Sequence, residues 1–279
     1  EEVRDVGTLR PLLAQEPEVN AFMLGHLEPR YFEASRWFVG GDNRGVQGVV
    51  MLYAGQSLPV LHSYGPTTAV SAVLAAFHSA LPARFEAVMR PPHVAALLKT
   101  ITTVHAECAH EIPATHSVLR MALNRRDYVG PITDRAVEQL SHADTAQLLQ
   151  LYQRTGGAQF DPCQLESGYY FGIREAGRLV SAAGVTAVSL ESRVAVVGNA
   201  ATHPDFRGRG LSTSCGGRLL QELFRRVQTV VLDVAVTNAA AIHVYEQLGF
   251  HEVQTLSSVR FDLACDPACD ILIVAVVGA

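Results

Sequence analysis

Hydrophobic residues recur at two spacings along this chain, and the switches between them mark out strands and helices. In the second half, Ala136 to Leu140 reads as a short strand. Ser141 caps a predicted helix to about Arg154, with Leu148, Leu149, Leu151 and Tyr152 on one face. Asp161-Pro162 opens a second short helix, since Asp suits the N-cap and Pro the first turn. Tyr169 to Glu175 and Leu179 to Leu190 form a predicted hairpin around Ala176-Gly177. A strand follows at Val194 to Thr202, then a helix at Leu211 to Val227 with Leu219, Leu220, Leu223 and Phe224 on its apolar side. A buried-type strand spans Val230 to Val236. Asn238 to Leu248 is a helix closed by Gly249, and Ser257 to Leu263 a last strand.

The first half is less regular. Trp37 to Gly40, Val46 to Tyr53, Pro59 to Tyr64, Phe85 to Met89 and Ser117 to Leu123 read as strands. Thr67 to Leu81 is an Ala-rich helix and His93 to Lys99 a shorter one. This order echoes the second half, as a diverged duplication would. A joint falls at Asn124 to Thr133, where Gly130-Pro131 punctuates a polar stretch. The expected domains are therefore 1–125 and 126–279.

Composition narrows the class. A chain of 279 residues, 48% hydrophobic and 18% charged, is expected to be soluble and globular with about two cores. A net charge of −5 and a pI near 6.1 argue against a nucleic-acid partner and mildly favour a cationic or neutral substrate. The five cysteines, Cys108, Cys163, Cys215, Cys265 and Cys269, are odd in number and scattered. They read as reduced thiols rather than a disulfide framework or a zinc site. His105, His110 and His116 lack zinc-like spacing, so no metal is expected. The opening Glu1-Glu2 is not a secretory signal, and the apolar run 271–277 is far short of the ~20 residues a membrane helix needs. The expectation is a cytoplasmic protein without membrane contact, monomeric or homodimeric.

The candidate chemistry lies between Val197 and Leu223. There a strand ends at Thr202, a turn carries Pro204, and a loop with Gly208 and Gly210 leads into a helix. Glycines let main-chain N–H groups approach a ligand, and a helix N-terminus favours an anion. Arg207 and Arg209 add positive charge. The spacing fits neither a Walker loop nor a dinucleotide fingerprint. Alone, it suits a pyrophosphate cradle or a glycine-rich turn with two solvated arginines.

Arg207-Gly208-Arg209-Gly210-Leu211-Ser212 resembles the Gln/Arg-x-x-Gly-x-Gly/Ala loop of the GCN5-related N-acetyltransferase (GNAT) superfamily. Ser212 departs from the preferred Gly or Ala but is small. A second match follows at Asn238, Ala241, Tyr245, Gly249 and Phe250. The resemblance covers about Ile132 to Leu263. It implies an α/β fold of two GNAT-like domains, each a mixed, mostly antiparallel sheet flanked by helices, with the first degenerate.

The resemblance also implies roles. Acetyl-CoA would lay its pantetheine arm along Ala200, Ala201 and Thr202. Its pyrophosphate would meet Arg207, Gly208, Arg209, Gly210, Leu211, Ser212 and Thr213. Asn238 would position the arm, and Tyr245 would protonate the departing thiolate. The chemistry asks for an oxyanion donor, which a main-chain N–H near Asn199 would supply. Asn199 itself either faces the acceptor or caps a bulge. A general base is harder to find, because the strand before the loop carries no carboxylate. His203, Glu191, a water chain or an amine that arrives neutral are the alternatives.

The expected activity is acetylation of a small-molecule amine. A non-catalytic acyl-CoA-binding sensor, a longer acyl chain, and a peptide or protein amine remain as rivals. Tyr169, Tyr170 and Phe171 read as core before pocket wall. Gly65-Pro66-Thr67-Thr68 stands where the first half would carry its loop, but with one glycine and no arginine. The first domain is expected to shape the acceptor cleft or an oligomer contact.

Overall fold

The computed structural model describes residues 1–43, 45–104, 114–130, 135–156 and 160–263. His105, Cys108, His110, Pro131, Cys265, Cys269 and the apolar run 271–277 lie outside the described residues.

In chain order the elements are β1 (Glu2–Val3), α1 (Val6–Leu13), α2 (Pro17–Gly25), α3 (Pro29–Phe32), β2 (Ser35–Asp42), β3 (Gly45–Tyr53) and β4 (Val60–Tyr64). Next come α4 (Thr67–Phe77), β5 (Arg84–Met89), α5 (Pro91–Val104), β6 (Thr115–Asn124), β7 (Glu138–Gln139), α6 (Thr145–Arg154), β8 (Tyr170–Glu175) and β9 (Arg178–Ser189). The series ends with β10 (Val194–Thr202), α7 (Leu211–Leu223), β11 (Thr229–Ala235), α8 (Ala239–Gln247) and β12 (His251–Asp262). Short 3-10 turns stand at Pro162–Ser167 and Pro204–Phe206.

These elements form two compact α/β units, and neither is one stretch of sequence. The first holds Glu1–Glu16, His26–Leu119 and the described residues from Gln254 on; the second holds Pro17–Gly25 and Arg120–Val253.

In the first unit the strand order is β1-β2-β3-β4-β5-β12. The pairs are antiparallel except β4 with β5. β12, the last strand among the described residues, pairs with β5, with Ser257 opposite Met89 and Phe261 opposite Phe85. Its core joins Phe38, Leu61, Leu74 and Phe85 to Val259 and Phe261. Phe85 and Phe261 stack at 4.8 Å between ring centroids. Beside the β4–β5 pair, Ser63 Oγ meets His93 Nδ1 at 2.8 Å, and Arg90 lies 2.9 Å from His93 Nε2 while donating to the Gly65 carbonyl. Burial, and then the neighbouring Arg90 charge, push His93 down to about 4.

In the second unit the order is β6-β11-β10-β9-β8-β7. Here β10 and β11 run parallel, while β7–β8, β8–β9 and β9–β10 are antiparallel. The β8–β9 hairpin turns through Ala176 (φ 49) and Gly177 (φ 78), the left-handed pair a tight hairpin requires. Helices α6 and α7 pack on this sheet, and so does α2 from the start of the chain. Gly25 makes that last approach possible, since a Cβ there would lie 2.8 Å from the Ala187 Cβ. Tyr170 and Phe171 are core residues, 0% and 2% exposed.

Candidate active site

The site begins where two parallel strands part. β10 pairs with β11 only at Val194, Val196 and the residue between them. Its other edge stays paired with β9 as far as Thr202 opposite Ser181. On that edge the register slips between Val196 and Val197 and again between Gly198 and Ala201, so Asn199 and Ala200 bulge out of the ladder. Asn199 has φ 53, left-handed backbone that asparagine tolerates better than most side chains. Gly198 permits the tight crossing beside it, because a Cβ there would sit 2.7 Å from Thr186 Cγ2.

The parting strands open a narrow slot. Ala183 and Val197 wall one side with Ala200, while Ser212 and Gly216 of α7 and Tyr245 of α8 face it. Small side chains keep the slot thin, which suits a flexible linear chain. Gly216 brings α7 against α8, since a Cβ there would lie 2.9 Å from Leu248 Cδ1. Asn238 starts α8 by accepting from the Ala241 amide at 3.1 Å. Gly249 follows the helix with φ 94, so the chain turns and Phe250 packs edge-on to Tyr245 at 5.9 Å. Tyr245 is half-buried, and burial pushes its phenol above the usual range, so the hydroxyl stays protonated near neutral pH.

Next to the slot, α7 begins without a side-chain cap. Its N-cap, Gly210, is left-handed (φ 73), and so is Gly208 (φ 72). A Cβ at either would meet nothing within 4 Å, so the loop face is open. The first-turn amides of Leu211, Ser212 and Thr213 therefore lack the helical partner that later residues have, at the positive end of the helix. Arg207 Nε donates to the Thr202 carbonyl at 3.4 Å, and Arg209 donates to the Asp205 carbonyl at 3.2 Å while lying over the Phe206 ring. Arg135 reaches in from outside the loop and donates to the Arg209 carbonyl at 3.1 Å. Three exposed guanidinium groups thus surround an uncapped helix start, and these residues fit a diphosphate.

Of the residues singled out in the sequence, Ala200, Ser212 and Tyr245 meet on the slot, and Arg207 to Thr213 form its charged end. Ala201 turns into the core at 9% exposure, and the Thr202 hydroxyl pairs with Ser181 at 2.9 Å. Asn238 acts on α8 rather than on the slot.

Asn199, His203 and Glu191 are placed as follows. Asn199 turns its amide to Gln164 and Tyr170, so it serves the bulge rather than facing an acceptor. His203 is 4% exposed, with Arg178 at Nε2 and the Asp205 amide 3.3 Å from Nδ1. A neutral imidazole has one acceptor nitrogen, and with the Arg178 guanidinium at Nε2 the lone pair is taken inside the buried turn rather than offered to an amine. Glu191 lies in the β9–β10 turn, eight residues before Asn199 at the opposite end of the strand. At ~3.3 Å per residue the strand from Val194 alone sets the turn about 16 Å from the bulge, beyond the reach of a glutamate side chain. Gln164, Tyr152 and Arg135 were not singled out. Only Gln164 carried a signal, as the fourth residue of a capping box with Asp161.

Residues 136–250 match the model of the acetyltransferase (GNAT) family. The [ribosomal protein bS18]-alanine N-acetyltransferase of Escherichia coli (strain K12) is 39% identical over 83 residues, 29% of this chain and 54% of that protein. The mycothiol acetyltransferase of Tsukamurella paurometabola is 35% identical over 141 residues, 46% of this chain and 48% of that protein. The chain thus spans about half the length of the curated relatives it matches. Among solved structures, a tandem GNAT protein from the clavulanic acid biosynthesis pathway aligns with a TM-score of 0.58 over 95% of this chain and 99% of its own. At 15% identity that likeness concerns the fold alone. Residues 136–250 are thus an acetyltransferase (GNAT) domain.

Proposed function

We propose that this protein transfers the acetyl group of acetyl-CoA to an amine of a small molecule. The observation that carries the reading is the meeting of Ala200, Ser212 and Tyr245 on one slot beside the uncapped start of α7. The donor's diphosphate lies against the amides from Gly208 to Thr213, with Arg207 and Arg209 near its charge. The pantetheine arm runs along the edge of β10 that β11 leaves unpaired. The amine nitrogen attacks the thioester carbonyl, and a main-chain N–H of the β10 bulge stabilises the oxyanion. Such a donor contributes on the order of 10²–10³ in rate. The C–S bond then breaks, the Tyr245 hydroxyl gives its proton to the departing sulfur, and the proton released by the acylated nitrogen passes through water to restore Tyr245. A thiolate leaves tolerably unaided, so this help is worth about 10²-fold.

Ser212 and Tyr245 are the polar residues of the slot wall. We therefore take the attacking amine to enter neutral, its proton lost to water. On that basis kcat/KM rises with pH until the amine's own pKa, without a break near the histidine range.

For the acceptor, the two curated relatives point in different directions. One is named for a ribosomal-protein alanine and the other for mycothiol. The longer match is to the latter, which favours a non-protein amine. Calorimetry with CoA and acetyl-CoA, followed by thiol release against small amines and an N-terminal-alanine peptide, tests both points. Turnover with the peptide alone would move the assignment to protein amines. Binding of CoA without thiol release would leave a sensor. Tyr245→Phe should slow transfer and leave CoA affinity nearly unchanged.

A further inference from the structure

The left-handed bulge at Asn199 is held from three directions. Tyr152 Oη donates to the Asn199 carbonyl at 2.8 Å. Asn199 Nδ2 donates to Gln164 Oε1 at 2.9 Å and to Tyr170 Oη at 2.8 Å. Tyr170 Oη in turn donates to Gln164 Oε1 at 2.8 Å, which closes a triangle in which every hydrogen is used once. Tyr152 and Tyr170 are 3% and 0% exposed, so water competes little for these bonds. The three holders come from three places: α6, the Pro162–Ser167 turn and β8. Burial pushes the Tyr152 phenol upward, which keeps it a donor throughout the working pH range.

A non-glycine residue at positive φ persists only where its surroundings over-determine it. Ala200, the next residue, lines the slot. A bulge that relaxed to ordinary extended backbone would turn the amides on either side of Asn199 and re-aim whatever they donate to.

We propose that Gln164, with Tyr152 and Tyr170, is a positioning clamp that locks the Asn199 bulge and so aims the main-chain donors at the reacting carbonyl. None of the three lines the slot; they act through Asn199. This inference rests on the acetyltransferase reading. It adds a specificity to the chemistry of position 164: the side chain must offer an acceptor oxygen. Gln164 Oε1 accepts from Asn199, from Tyr170 and, at 3.4 Å, from the Asp161 amide. A carboxylate meets that demand, whereas an aliphatic group of similar size does not.

The test compares Gln164→Leu with Gln164→Glu in the full chain. Thiol release measures turnover, and hydrogen exchange measures the amides of residues 198–201. For Gln164→Leu, kcat falls roughly 10- to 100-fold with KM for acetyl-CoA unchanged, and those amides exchange faster. Gln164→Glu retains near-normal kcat and slow exchange. If Gln164→Leu does not fold, Tyr170→Phe removes one corner of the triangle and carries the same expectations. Unchanged exchange in the leucine variant overturns the clamp. Faster exchange with kcat within twofold of the parent overturns its catalytic role. A parent protein that releases no thiol with any amine overturns the acetyltransferase reading and that role together, while exchange still decides whether the clamp exists.

Discussion

Arg120 and Asp233 meet fork to fork, with Nε and one terminal nitrogen each 2.8 Å from a carboxylate oxygen. Arg120 is 4% exposed, donates also to the Val19 carbonyl and lies over the Phe22 ring at 4.8 Å. One guanidinium therefore ties β6, β11 and α2 together within the second unit. Removing it would strand a largely buried carboxylate, which typically costs about 3–5 kcal/mol. Arg120→Ala should lower the denaturation free energy by that order. The double change Arg120→Met with Asp233→Leu should lose far less, because no charge is left unpaired.

At the start of α7, Gly210 is left-handed in open space. Gly210→Ala introduces no clash, so the stability loss should stay near ~1 kcal/mol, the penalty of positive φ. On the proposed reading, its Cβ would stand on the face offered to the diphosphate. CoA affinity should fall at least about tenfold, a disproportion that calorimetry beside thermal melting would read.

The two described cysteines should differ in reactivity. Cys215 is fully buried and its thiol is pushed up to about 12, chiefly by burial, while Cys163 is half-buried. Native protein treated with a thiol reagent at pH 8 should label Cys163 first. Labelling of Cys215 should wait for unfolding, because the thiolate is the reacting form.

His93 should make the first unit sensitive to acid. Its folded value, about 4, lies below the usual 6.5. The folded state thus refuses a proton that the unfolded chain accepts. The stability at stake is complete above about 6.5, falls as pH drops through the interval, and changes no further below about 4. At roughly 1.4 kcal/mol per unit, the loss at pH 4.5 is on the order of 2 kcal/mol. Denaturation of the parent at pH 7 and 4.5 should show a larger drop than His93→Gln, since carboxylates titrating in the same range are common to both.

Much of the second unit was legible in advance. The strand Val194–Thr202 has the bounds its β-rich run predicts, and the turn at Ala176-Gly177 falls where the glycine demands it. The start of α7 at Leu211 follows from Gly210, and the start of α8 from the cap at Asn238. These are local decisions, made by torsion angles and hydrogen bonds within a few residues. The first 32 residues hid three helices, for equally physical reasons. α1 contains Pro11, which reads as a breaker. α2 buries residues on most of its circumference and so shows no stripe.

Pairing and aim were decided only in three dimensions. β12 opens at His251 rather than Ser257, because its first residues are exposed and polar and carry no apolar signal. Nothing in its sequence says that it will lie beside β5, since side-chain alternation marks which face of a strand is buried and not which neighbour it pairs with. Glu191 and His203 were reasonable bases by residue type. Strand length carried the first away from the slot, and a buried turn consumed the second. The bulge at Asn199 needs partners 29, 35 and 47 residues distant, and contacts at that range exist only once the chain has folded.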